Sequence, residues 1–282
     1  MGIGISLSGL ASAVANMGGI GVISSVGIGF INKQPHTSYK MSSINAIRSS
    51  IKKAREQTRG ILGVNIMTVL TNFSDMVKTS IDEGIDIIFS GAGLPLDLPK
   101  YLKQGTRTKL VPIVSSARAA SIIINKWKQN YNYLPDALVL EGPKAGGHLG
   151  YKASHLDNSE HSLENSLVKI LEVTSQVKQE HNADIPVIAA GGIYSGKDMF
   201  QIMKQGATAV QLGTRFVATE ECDASLEFKK AFIHAEKKDI QIIKSPVGMP
   251  GRTIYNHFLE QANEGKRRPS HCKYNCMRSC NP

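Results

Sequence analysis

Short β-branched runs alternate with longer stretches of helical spacing, and this alternation constrains the fold more than any other feature of the chain. The runs are GVIS (21–24), ILGVNIM (61–67), IDIIFS (85–90), KLVPIVSS (109–116), DALVLEG (136–142), IPVIAAGG (185–192) and TAVQLGT (208–214). Most are apolar at successive positions rather than at every second one. Such strands are buried on both faces, as in a parallel sheet covered by helices. The intervening stretches 7–17, 41–58, 73–83, 117–129, 163–179 and 196–205 carry apolar residues at helical intervals. Ser162 and Ser195 stand immediately before two of them, and Asp198 falls in the first turn of the second, where a carboxylate favours a helix start.

A chain of 282 residues built this way is predicted to be an α/β protein, a TIM (β/α)8 barrel. Seven runs are visible where eight strands are needed, so the first strand is expected to be missing or truncated at the N-terminus. The competing architecture is an open doubly wound sheet, but no GxGxxG turn with a following acidic residue supports it. After Thr214 the pattern loosens. Residues 215–234 look helical, 240–250 pass through an extended segment, SPVGMPG (245–251) reads as a turn-rich loop, and 261–282 form a polar, poorly packed tail. The expected division is a barrel over 1–218 and a C-terminal helical or lid segment with a basic, cysteine-containing tail over 219–282.

The net charge is +10, and the stretch from Lys229 onward holds 11 Lys and Arg against 4 Asp and Glu. A solvated basic surface explains this. No aromatic-interleaved basic stripe points to nucleic acid. The first cysteine is Cys222, so no disulfide framework is expected in the barrel, which fits a reducing, cytoplasmic setting. Cys272, Cys276 and Cys280 have a C-x3-C-x3-C spacing that matches no common zinc or iron–sulfur pattern, and no metal is expected. The apolar N-terminal stretch lacks the basic start of a signal peptide and is too rich in glycine for a membrane helix. Gly2 and Ser6 fit the loose myristoylation pattern, but another role for these glycines is preferred below.

In a barrel the active site lies at the carboxyl ends of the strands. The residues found there are Asn65, then EGPKAGGH from Glu141 to His148, then Ala190-Gly191-Gly192, then Gln211-Leu212-Gly213-Thr214. Gly191, Gly192, Gly213 and Thr214 occupy the two loops where barrels often bind phosphate, and glycines let backbone N–H groups approach an anion. His148 sits in a glycine-rich turn with little steric cover. A neutral imidazole there can accept a proton or stabilise charge, and none of the other seven histidines has comparable surroundings. Lys144 could pair with an anion or point to solvent. Glu141 and Asn65 offer hydrogen bonds to a ring edge or a hydroxyl.

The segments Glu141–Gly150, Pro186–Ile193 and QLGTRFVATE (211–220), with the opening MGIGISLSGLASAVANMGGIGVIS and the later SPVGMPGRTI, closely resemble the nitronate monooxygenase family, formerly the 2-nitropropane dioxygenases. FMN-dependent enoyl-acyl-carrier-protein reductases of the second type share much of the pattern. The resemblance implies an FMN-binding barrel. Met1, Gly2, Asn65, Glu141, Lys144, Gly146, Gly191, Gly192, Gln211, Leu212, Gly213 and Thr214 would lie about the cofactor, and His148 would be catalytic. It implies a flavin oxidoreductase that takes an alkyl nitronate or nitroalkane and O2, with no nucleic-acid or membrane partner; a homodimer is compatible with it. The alternatives are an NAD(P)H-dependent enoyl reductase, for which an acidic residue at Glu141 also has precedent, and a flavin-free polyanion-binding remnant.

Overall fold

The computed structural model describes residues 2–31, 36–245, 248–266 and 276–278. Every β-branched run becomes a strand. In chain order the strands are β1 (Gly21–Ser24), β2 (Leu62–Met67), β3 (Ile87–Gly91), β4 (Lys109–Val114), β5 (Leu138–Glu141), β6 (Gly147–His148), β7 (Val187–Ala190), β8 (Ala209–Gln211), β9 (Ile240–Lys244) and β10 (Pro250–Ile254). The helices are α1 (Ser8–Asn16), α2 (Tyr39–Gln57), α3 (Phe73–Asp82), α4 (Ala117–Tyr131), α5 (Leu163–His181), α6 (Gly196–Lys204), α7 (Thr214–Val217), α8 (Leu226–His234) and α9 (His257–Asn263). Serines cap many of them. Ser162 accepts from Asn165 N, and Ser195 and Asp198 form a reciprocal capping box at α6, which satisfies amide groups that a helix start leaves orphaned. Helix α2 begins two residues earlier than the periodicity suggests because Ser38 caps it.

Seven strands form one parallel sheet in the order β1-β2-β3-β4-β5-β7-β8. Each strand is added on the same side of its predecessor, and the order never reverses. Right-handed crossovers therefore place the helices that connect its strands on one face, and the sheet curls as a barrel does. A doubly wound sheet needs a reversal of strand order and is excluded.

Two cores follow from strand alternation. On the helix side, Ile23, Val64, Ile88, Leu110, Leu140 and Ala189 pack with Ile47, Met76, Trp127 and Leu167. On the concave side, Phe89, Val111, Val139 and Ala190 pack with Val22, Ile113 and Ile188. Apolar burial on both faces is the reason the runs read as nearly continuous. Helix α1 lies directly on the sheet: a Cβ at Gly21 would come within 1.8 Å of Ala11 O, so only glycine permits that approach.

Among the described residues β1 and β8 do not pair with each other. The N-terminal segment lies between their neighbourhoods. Ser6 accepts from Ser24 N and donates its hydroxyl to Val22 O. On its other side, Ile5 O accepts from Asp223 N and from the Cys222 thiol. The Asp223 carboxylate in turn accepts the amides of Leu7, Gly9 and Leu10, so a residue from the far end of the barrel caps α1. This explains why 215–234 is not one helix. It breaks into α7 and α8, and the segment between them turns back to meet the N-terminus.

The expected extended segment contains strand β9, whereas Pro250 and Gly251 of the expected loop belong to strand β10, which pairs antiparallel with β9 and, at its other edge, with β6. In the tail, Leu70 bridges to Met277, which packs against the main core; these residues are therefore better anchored than their composition suggests. Among the described residues no helix is long and apolar enough to cross a membrane.

Asp223→Ala is expected to remove the cap of α1 at a cost of about 1–2 kcal/mol. At this chain size that lowers Tm by roughly 2–8 °C, measurable by scanning calorimetry.

Candidate active site

The residues of the candidate site share one face of the sheet. Register pairs Ser24 with Asn65, Glu141 with Ala190, and Ala190 with Gln211. Paired residues of parallel strands point the same way, and positions two apart share a face. Ser24, Asn65, Glu141 and Gln211 therefore continue the concave face of Val22, Val139 and Ile188 and cap it with polar groups at its carboxyl rim.

Among the described residues these rim side chains make few hydrogen bonds. The Ser24 hydroxyl is fully buried and hydrogen-bonds to nothing among the described residues. Asn65 is 8% exposed. Its carbonyl accepts from Ser25 N and Oγ, whereas no hydrogen bond of its side-chain amide is found among the described residues. Burial raises the pKa of the Glu141 carboxyl. Buried polar groups without partners are costly and uncommon, so the Ser24 hydroxyl among other polar groups on one concave rim makes this rim a candidate place for a polar ligand.

The turn after β5 rises over this rim. Gly142 N donates to Ala190 O, and Ala145 N to Gly142 O. The glycines of the next loop fit beneath it. Gly191 has φ +96°, and a Cβ there would lie 2.9 Å from Gly142 O. Gly192 has φ +85°, and its Cβ would meet the Lys144 stem at 2.9 Å. These two glycines are thus required for packing between loops as well as for access to their amides. In contrast, Gly146, Gly147 and Gly213 have open space where a Cβ would stand, and Gly146 and Gly213 are exposed. The amides of Gly192, Gly213 and Thr214 have no backbone acceptor among the described residues and remain available to an anion. Helix α7 is a single turn, so Thr214 offers an amide and a hydroxyl rather than the dipole of a long helix.

His148 is half-buried in β6, and burial pushes its imidazole pKa below the ordinary value. Burial thus favours its uncharged form. Tyr151 donates its hydroxyl to Glu141 O, and its pKa is pushed up to about 12 by burial, which keeps it a donor. Lys144 is exposed and lays its stem over Gly192. Leu212 turns its side chain into the helix-side core, leaving only its main chain for a ligand. Gly2 is exposed, and its neighbour Ile3 packs against Gly27 in the loop after β1, on the same rim. Met1 lies outside the described residues, as do Cys272 and Cys280. Among the described residues no three His, Cys, Asp or Glu side chains gather as metal ligands.

Sequence reasoning missed Ser24, Tyr151 and the whole of β10. Ser24 was accessible in principle, since GVIS ends on the same face as Val22. The role of β10 was not, because its pairing with β6 spans about a hundred residues.

The chain matches the nitronate monooxygenase family over residues 30–281. It belongs to that family. It is 25% identical to a (3aS,4S,5R,7aS)-5-hydroxy-7a-methyl-1-oxo-octahydro-1H-indene-4-carboxyl-CoA dehydrogenase of Mycobacterium tuberculosis, over 92% of this chain and 62% of the relative. It is 28% identical to a probable nitronate monooxygenase of Staphylococcus saprophyticus, over 70% of this chain and 52% of the relative. The chain thus spans somewhat more than half the length of these curated relatives. Among solved structures, FabK from Thermotoga maritima superposes with a TM-score of 0.70 at 29% identity, covering 93% of this chain and 71% of that one.

Two substitutions test the geometry of this nitronate monooxygenase family member. Gly191→Ala is expected to cost about 1–3 kcal/mol through strain at positive φ and contact with the Gly142 carbonyl, read as a lowered Tm. Glu141→Gln is expected to raise Tm at pH 7. A carboxyl whose folded pKa is raised contributes stability that is complete below its unfolded pKa and is lost as pH rises through the folded one. The gain should therefore vanish near pH 4, and thermal melts at both pH values check it.

Proposed function

We propose that the chain is a flavin-dependent oxidoreductase that oxidises alkyl nitronates with O2 to carbonyl compounds and nitrite. The observation that carries this reading is the polar rim, with the buried Ser24 hydroxyl unpartnered among the described residues and the half-buried His148 in the turn that follows β5, in a chain of the nitronate monooxygenase family. The donor set suits FMN. Asn65, Glu141 and Gln211 would meet a ring edge or a ribityl hydroxyl, and the amides of Gly192, Gly213 and Thr214 with the Thr214 hydroxyl would meet the phosphate. Gly191 would shape the phosphate loop, Lys144 would add positive charge beside it, and Gly2, Gly146 and the Leu212 main chain would border the group. Bound FMN would supply the electron acceptor that no side chain provides.

The protein's own part is placement and charge. His148, whose burial favours the uncharged form, would accept the α-proton of a neutral nitroalkane at an imidazole nitrogen. With a nitronate already ionised, an imidazole N–H would hydrogen-bond a nitro oxygen and stabilise its charge. Gly146 and Gly147, which lead into it, have open space where a Cβ would stand.

The likeness to FabK favours one further reading, an enoyl reductase driven by a nicotinamide cofactor. The two separate cleanly. Purified protein is expected to be yellow and, mixed anaerobically, to lose its flavin absorbance with a nitronate rather than with NADH. Bleaching by NADH alone would assign it to the reductase. His148→Ala is expected to keep the bound flavin while nitrite formation falls by about 100-fold or more; unchanged turnover would remove His148 from the chemistry.

A further inference from the structure

We propose that Arg252 is a positioning residue for His148: from β10 its guanidinium locks the glycine-rich turn that presents the imidazole. The assignment of His148 to the reaction rests on the function proposed above; the clamp itself rests on geometry.

The turn needs an external hold. Gly142, Gly146, Gly147 and Gly150 fall within nine residues, and Gly147 has φ +73°. Glycine loses more backbone freedom on ordering than any other residue. Gly146 and Gly147 have nothing packed where a Cβ would be, so side-chain burial does not fix the two residues that lead into His148.

Long-range bonds do so instead, and they converge from β10. The main chain pairs Gly251 with His148 and Arg252 with Gly147. Leu149 N donates to Pro250 O, and Leu149 itself is buried. The side chain of Arg252 then reaches the near limb of the turn. Its Nη1 donates to Pro143 O at 2.6 Å and to Ala145 O at 2.8 Å. Ser115 Oγ secures the far end by donating to Gly150 O. Each of these contacts grips main chain, and none occupies the imidazole. Hydrogen bonds from a charged donor are shorter and stronger than neutral ones. A single cationic nitrogen spanning residues 143 and 145 therefore fixes the path of the chain on one side of Gly146, while the β6–β10 ladder fixes it on the other. The imidazole is left as the free end of a segment held at both sides.

The consequence is a division of labour. Among the described residues the guanidinium hydrogen-bonds to Pro143 O and Ala145 O and to no side chain of the rim; its effect on chemistry passes through the orientation of His148. Misplacement of a reacting group by about 1 Å can cost on the order of 100-fold in rate, so loss of the clamp should appear in the chemical step and not in the binding of flavin.

The test uses the full chain with Arg252→Met, which keeps the stem and loses the donor, and Arg252→Lys, which restores a cationic nitrogen. Arg252→Gln, with a shorter neutral donor, is the second disruptive variant should the methionine protein not fold, and is expected to behave as Arg252→Met. Hydrogen–deuterium exchange of the peptide covering 143–150 should accelerate severalfold in Arg252→Met and stay near wild type in Arg252→Lys. Nitrite formation from a primary nitronate should show kcat lowered by roughly 10- to 100-fold with KM within about twofold and flavin content unchanged, and lysine should recover most of it. In a His148→Ala background, Arg252→Met should lower kcat no further. Unchanged exchange in the disruptive variants overturns the clamp. An equal loss of kcat with and without His148 overturns the positioning role. If the wild type oxidises no nitronate, the proposed reaction fails, and the exchange measurement alone still decides the clamp.

Discussion

The ladder bonds joining β5 to β7 and β7 to β8 set a register in which Glu141, Ala190 and Gln211 stand level. Shifting any one of these strands by a single residue would turn its whole set of side chains over. Glu141 would then face the helices, and Leu140 would stand on the rim. The same dependence holds at the other end, where Ser24 stands beside Asn65. The candidate site is thus a property of the pairing more than of any loop. The apolar packing of Phe89, Val111 and Val139 below the rim holds that pairing fixed.

Above the rim the loops settle against one another. Positive φ and tight contact make Gly191 and Gly192 the base on which the 142–145 turn rests. The proposed phosphate binding and the observed loop packing are compatible demands. A residue without a side chain brings its neighbour's backbone close and leaves its own amide uncovered. One dipeptide can therefore serve the shape of the site and its charge preference together.

Much of this was legible in the sequence, and the remainder has a common physical cause. The seven runs became seven strands, and Ser162, Ser195 and Asp198 marked helix starts, because alternation and capping are local effects carried by residues a few positions apart. His148, Glu141 and Asn65 could be placed at strand ends by the same local reasoning, with the family resemblance adding their expected roles. Asp223 as the cap of α1, Arg252 as the partner of Pro143 and Ala145, and the division of 215–234 into two helices were not legible. Each depends on a contact between segments about a hundred or more residues apart, where no periodicity connects the partners. SPVGMPGRTI looked like a loop because proline and glycine dominate it. Gly248, at positive φ, precedes β10, and Pro250 and Gly251 open that strand ahead of the arginine proposed as the clamp.

The bond between Asp223 and the start of α1 also bears on the order of events during synthesis. Leu7 and Asp223 are 216 positions apart, so α1 is made early but acquires its cap only after every strand of the large sheet has left the ribosome. Until then it must rest on its packing against Gly21 and its neighbours alone. Contacts of such long sequence separation are slow to form, and partly made chains expose apolar surface. Helix α1 is therefore among the last of these elements to be finished, and the segment around it is where a chaperone would have most to protect.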